Sequence, residues 1–318
     1  MSKVAIDLFA DFKRDFAERW AWQNTLSGAL KIKGVGKEQR LWEPWLDKNA
    51  FEAATENMHQ RIVPQPRKVF IGKDFIIPVT PSWLALEVEK LLNTIRRGDD
   101  ITPFLGNNVR KLGASDSMLN YWGIFHLHLK PYGQRIRGDD NHLIFAHIND
   151  DAFYAVGLGD HSDLMSTRFI KALQRDFPFV MQRYQVDVKS AVDIDSEAYT
   201  KCCERNTNTA VLINGVCYMN PGGGVVANGA SAKACCEIIA MRKRLDSASE
   251  MLKKYFFNGF ALLSKKYSLG AISAGDVTLK LKSLNSEEII VECPELRLRF
   301  SYRDKEARLA IVSDLADR

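Results

Sequence analysis

At 318 residues, 46% of them apolar and 26% charged, the chain sits close to globular averages, which excludes a disordered or fibrous polymer. A net charge of +5 and a pI of about 8.8 fit nucleic-acid contact without demanding it. The length predicts two domains, or three small ones.

The first sixteen residues, MSKVAIDLFADFKRDF, are amphipathic and carry acids, unlike a signal peptide. No apolar run approaches the roughly 20 residues needed to span a bilayer. A cytoplasmic protein without a membrane partner is expected. The six cysteines include two adjacent pairs but no C-x-x-C spacing, so reduced thiols packed as small hydrophobes are expected.

In chain order, Val4, Leu8, Phe12, Phe16 and Trp20 form one apolar stripe and predict a helix over 3–30. A weaker helical pattern covers 38–60, and Pro64 and Pro66 mark a boundary. Two short apolar runs, 68–71 and 75–79, flank Gly72 and predict strand–turn–strand. Pro81 and Ser82 open a helix to about Arg97, with Leu84, Val88, Leu91, Leu92 and Ile95 on its buried face.

A turn-rich stretch with one short helix leads to three strands, 124–130, 142–149 and 153–158, the last two joined by a tight turn at 149–151. A helix follows over 163–176. Residues 211–218 predict a hairpin around Asn214 and Gly215, and 220–224 a glycine-rich loop. Ser231 is placed to cap a helix running to about Tyr267, and the alternating tail after Asp276 predicts a small antiparallel sheet. The expected domains are a helical region over 1–64, a central domain over 65–180 and a C-terminal α+β domain over 181–318.

Five of the six histidines lie between His126 and His161. Strand alternation puts His126 and His128 on one face with Ile124 and Lys130, and turns Phe125, Leu127 and Leu129 towards the core. Three readings follow. One is a metal-free nuclease surface, with imidazoles moving protons and Arg110, Lys111, Lys130, Arg135 and Arg137 gripping phosphate. Another is a metal site built from His126, His128, His147, Asp160 and His161. The third is a set of solvated or hydrogen-bonded histidines, His142 above all. The glycines at 222–224 invite a phosphate cradle ahead of a helix, against a flexible loop. Arg242, Lys243, Arg244, Lys253 and Lys254 suit RNA, against a solvated helix face.

The order strand, helix, short helix and three antiparallel strands, with VRKLG at 109–113 before the first of the three, resembles the RelE/ParE-type toxin superfamily. The stretch from Trp122 to His161 has that family's rhythm of three strands, and it is also similar to a group of bacterial proteins with a GI-x-HLHL segment and a later DH. The resemblance covers about 70–178. The long additions on both sides, and histidines where the family uses Lys, Arg and Tyr, depart from it. It implies an α+β fold with a helical N-terminal region, a RelE-like β-α-α-β-β-β central domain, and a C-terminal helix plus small antiparallel sheet.

The activity implied is an endoribonuclease or toxin-like effector in toxin–antitoxin or phage-defence biology. It would cleave RNA by metal-independent general acid–base chemistry and use no cofactor. Carried over by position, Lys111, His126, His128, Arg135, Tyr154 and His161 are its site residues. The implied partners are RNA, including RNA on the ribosome, and an antitoxin or defence protein. A non-catalytic nucleic-acid or partner-binding regulatory module and a metal-dependent hydrolase remain as alternatives.

Overall fold

The computed structural model describes residues 8, 10–12, 31–32, 59–79, 82–106, 109, 111–112, 114–135, 142–188, 190–267, 277–284, 288–303 and 308–314. The protein is a mixed α+β chain. Among the described residues, those from 59 to 236, with Lys31 and Ile32, form a larger compact unit. Those from 237 on, with Leu8 and 10–12, form a smaller one. The helices expected over 3–30 and 38–60 lie largely outside the described residues.

The larger unit is built on a four-stranded sheet. Its strands are β1 (Lys68–Ile71), β2 (Ile124–His128), β3 (Leu143–Ile148) and β4 (Ala152–Gly159), in the order β1-β4-β3-β2. β1 runs parallel to β4, and the other two pairings are antiparallel. One face is covered by α1 (Ser82–Arg97), where Leu84, Val88, Leu91, Leu92 and Ile95 pack on Leu127, Ile144, Ala146, Phe153 and Ala155. These are the five positions that the helical spacing puts on one stripe.

The opposite face is covered by several elements. They are α2 (Ser117–Trp122), α3 (Arg168–Asp176), α4 (Pro178–Met181) and α5 (Glu197–Glu204), together with a small sheet of β5 (Val192–Asp193), β6 (Val211–Ile213) and β7 (Val216–Tyr218). Phe145 stacks on Phe169 with centroids 3.9 Å apart, and the Trp122 indole donates a 2.7 Å hydrogen bond to the buried Tyr199 hydroxyl. Asn214 (φ 49°) and Gly215 (φ 80°) both take the left-handed conformation that a two-residue hairpin turn requires.

Three expectations are corrected. Residues 75–79 form no strand, because the chain turns back at Gly72 and Asp74 and inserts Phe75 beneath α1. The first of the three antiparallel strands ends at His128 rather than at 130. A domain boundary at 180 would cut a single core, since Ile194, Tyr199, Val211, Ile213 and Tyr218 pack with Phe145 and Phe169.

α6 (Ala232–Tyr267) begins in the larger unit and continues into the smaller. There Leu245, Ala248, Leu252 and Phe256 lie on a four-stranded antiparallel meander of β8 (Lys280–Leu284), β9 (Glu288–Cys293), β10 (Leu298–Arg303) and β11 (Arg308–Asp314). Ile289, Val291 and Cys293 alternate inward, as the sequence pattern of β9 predicts. Among the described residues, no helix is long and apolar enough to cross a membrane.

Candidate functional site

β2 carries the histidine row. Its alternation is as read from the sequence: Leu127 and Leu129 face α1, and His126 and His128 face the other way. That other face is packed interior rather than an open surface. His128 is only 3% exposed, and His126 keeps 15% of its side chain in solvent. The cover comes from both directions along the chain: Gly106 and Asp116, just before β2, lie against His126, and His161, after β4, lies against His128.

Asp116 anchors one end of the row. It is the N-cap of α2, accepting the Leu119 N–H at 3.0 Å, and its second oxygen lies 3.3 Å from His126 Nδ1. That approach is off the line of a hydrogen bond. A cavity of about 10 Å3 beside His126, lined also by Gln60, Gly106 and Asp116, has room for one water. The rings continue from His126 to His128 (6.4 Å) and from His128 to His161 (5.2 Å). His161 is exposed, on a short turn capped by Asp160.

Asp160 accepts the Ser162 hydroxyl and N–H, which hold its carboxyl below the ordinary range. Asp163 accepts the Asp160 N–H and pairs with Arg168 at 2.8 Å. These acids serve the turn. Among the described residues, no three of His, Cys, Asp and Glu converge with the geometry of a metal site. The set His126, His128, His147, Asp160 and His161 is not brought together: His147 pairs across the strands with Ile124 and Tyr154, at the other end of β2 from His128.

Of the five cations expected around the row, the two whose side chains are described, Lys130 and Arg135, lie elsewhere. Lys130 follows the end of the strand and lies over the Trp83 ring of α1, 5.5 Å from its centroid, on the side opposite the histidines. The Arg135 guanidinium donates to the carbonyls of Lys130, Pro103 and Leu105, so it clamps two loops together. Arg110, Arg137 and the Lys111 side chain lie outside the described residues. His142 packs edge-on against Trp83 at 5.7 Å.

A different grouping centres on Tyr154 and His147. Tyr154 stacks on Phe70 of β1 (5.3 Å) and touches Phe177 (5.1 Å) and Phe179 (5.7 Å). Phe70 and Phe179 are 41% and 59% exposed, so the outer rings of this ladder meet solvent. His147 lies 6.1 Å from Tyr154. Its Nδ1 is 2.9 Å from the Gly123 carbonyl, which only accepts, so Nδ1 carries the hydrogen and the buried Nε2 is an acceptor with no partner. Burial, with Arg183 and Lys233 nearby, outweighs that hydrogen bond and draws His147 down to about 4. Burial and Lys233 do the same to His59.

Arg183 is exposed and lies 5.2 Å over Tyr184, and Lys233 is exposed on the first turn of α6. Neither has a carboxylate at ion-pair distance among the described residues. Sequence reasoning placed Tyr154 and His147 in other roles and missed Phe70, Phe179, Arg183 and Lys233. Their only signal was being large or charged next to turns.

The glycine loop is neither a phosphate cradle nor a free loop. The Gly222 and Gly224 N–H groups donate to the carbonyls of Tyr121 and Asn120 at 3.2 and 2.8 Å, and the Gly223 N–H to Asn220. A Cβ on Gly222 would come within 1.9 Å of the Leu119 carbonyl oxygen, so only glycine fits against the end of α2. Ser231 accepts the Ala234 N–H and caps α6 as expected. Of the α6 cations, Arg242 and Lys253 pair with Asp246 and Glu250 along the helix.

No protein-family model, no curated protein and no solved structure matches the chain.

Proposed function

We propose that the larger unit is a single-stranded RNA-binding module, using the Phe70–Tyr154–Phe179 ladder to stack bases and Arg183 and Lys233 to hold phosphate. The observation that carries this reading is two half-exposed aromatic rings flanking a buried one, with His147 6.1 Å from the buried ring and two exposed cations near His147 that have no acidic partner among the described residues. Aromatic faces accept any base, and unpaired cations follow the backbone, so such a surface binds single strands with little sequence preference. The test is fluorescence anisotropy with a labelled oligouridylate over a salt series. Phe179→Ala is expected to weaken binding by roughly 5- to 100-fold, the range for one lost stacked base. Arg183→Glu is expected to flatten the salt dependence. Wild-type affinity in both variants, or no binding by the wild type, rejects the proposal.

The contiguity of His126, His128 and His161 favours a second reading, the metal-independent endoribonuclease. Only His161 is open to a substrate as the chain stands, so cleavage would require the 161–163 turn to lift. RNA cleavage in the presence of EDTA, compared between wild type and His126→Ala/His128→Ala, decides it. Equal activity in the double variant removes the histidine row from the chemistry.

A further inference from the structure

β1 is the end strand of its sheet, and among the described residues no strand pairs with its outer edge. The N–H groups of Lys68 and Gly72 point inward, donating to Asp151 and Ala155 at 2.9 and 2.8 Å. In a parallel ladder alternate residues face alternate sides, so the N–H and C=O of Val69 and Ile71 point outward. Among the described residues nothing bonds to them. The strand is also apolar where it is exposed: Phe70, Ile71 and, just beyond the turn, Ile76 all meet solvent.

Edge strands are ordinarily protected by bulges, covering loops or inward charges. Among the described residues the only such feature is a lysine near each end, Lys68 and Lys73. The neighbouring acids Asp74 and Asp176 are both held by Arg175, at 3.1 and 2.7 Å, and neither lysine has a carboxylate at ion-pair distance among the described residues.

We propose that this edge accepts an added strand from another polypeptide, apolar at its centre and acidic at both ends. Main-chain bonds to Val69 and Ile71 would supply affinity, while Phe70, Ile71 and the two lysines would select the sequence. A second copy of this chain is disfavoured by charge. Antiparallel self-pairing about Phe70 sets Lys68 against Gly72 and brings Lys73 beside Arg67 and Lys68, cation facing cation. The proposal shares Phe70 with the aromatic ladder but stands on the strand edge, and none of its test positions belongs to the ladder.

The test uses the full-length protein and a fluorescent probe peptide of alternating valine and threonine with two glutamates at each end. Saturable binding is expected, with hydrogen-exchange protection appearing at the amides of Val69 and Ile71. Lys68→Glu/Lys73→Glu is expected to weaken the probe about tenfold and to bind a lysine-ended version of it instead. Val69→Pro, which removes an outward donor without touching the inner ladder, is expected to weaken both peptides. Circular dichroism confirms that each variant is folded. Absence of probe binding, affinity indifferent to charge reversal, or a wild-type dimer in sedimentation that protects these amides without peptide would each overturn the proposal.

Discussion

The two faces of the central sheet differ in how they are covered. The α1 face is closed by one long helix, with Ile62, Phe75, Ile101 and Leu105 beside it, and the helix's apolar stripe meets Leu127, Ile144 and Phe153. The opposite face is closed by α2, just before β2, and by three helices and a small sheet from later in the chain, and it holds His126, His128, His147 and Tyr154 among apolar residues. A sheet with one wet face would leave those histidines in water. This sheet has two dry faces, and its second interior is the polar one.

The largest effects should come from opening either face. Leu91→Ala, under α1, and Phe145→Ala, on the histidine side against Phe169, are expected to cost roughly 2–5 and 3–5 kcal/mol in urea unfolding. If the histidine side were open to solvent, the Phe145 variant would cost less than about 1 kcal/mol.

The next effect sharpens the contrast through pH. His147 titrates near 6.5 when unfolded and at about 4 when folded, because burial, Arg183 and Lys233 disfavour its charged form. The unfolded chain therefore binds the proton first, and stability present above pH 6.5 declines as pH falls towards 4. His59 acts in the same direction over the same window. Each histidine adds a slope of up to about 1.4 kcal/mol per pH unit between its two values. Urea midpoints measured across this range should show the decline, and His147→Asn should remove about one proton's worth of it. An unchanged slope would mean that His147 is hydrated.

The smallest effect is at the rim. Asp116→Ala removes the α2 cap and is expected to cost about 1 kcal/mol, whereas Asp116→Asn keeps the cap and changes only the approach to His126. Thermal melts of the two variants, compared, apportion the cap and the contact with His126.

Much of the secondary structure was legible. The stripe of α1, the alternation in β2, the turn at Asn214 and Gly215, the Ser231 cap and the C-terminal meander all follow from local spacing and backbone preference. The candidate site was legible only in part. Tyr154 and His147 could be singled out as residue types. Their company of Phe70, Phe179, Arg183 and Lys233 comes from positions up to 163 residues apart in the chain, from Phe70 to Lys233. Lys130, read as one patch with the histidines, was separated from them by a single step past the strand: Leu129 turns inward and Lys130 follows it towards Trp83.

By itself the sequence determined which residues share a strand face or a helix stripe, because side-chain periodicity is a property of the backbone. Only the tertiary structure decided which face stays dry, because burial depends on what returns to cover it. Here the cover is Phe169, Tyr199 and Val211, and nothing in the period-two pattern of β2 encodes their arrival.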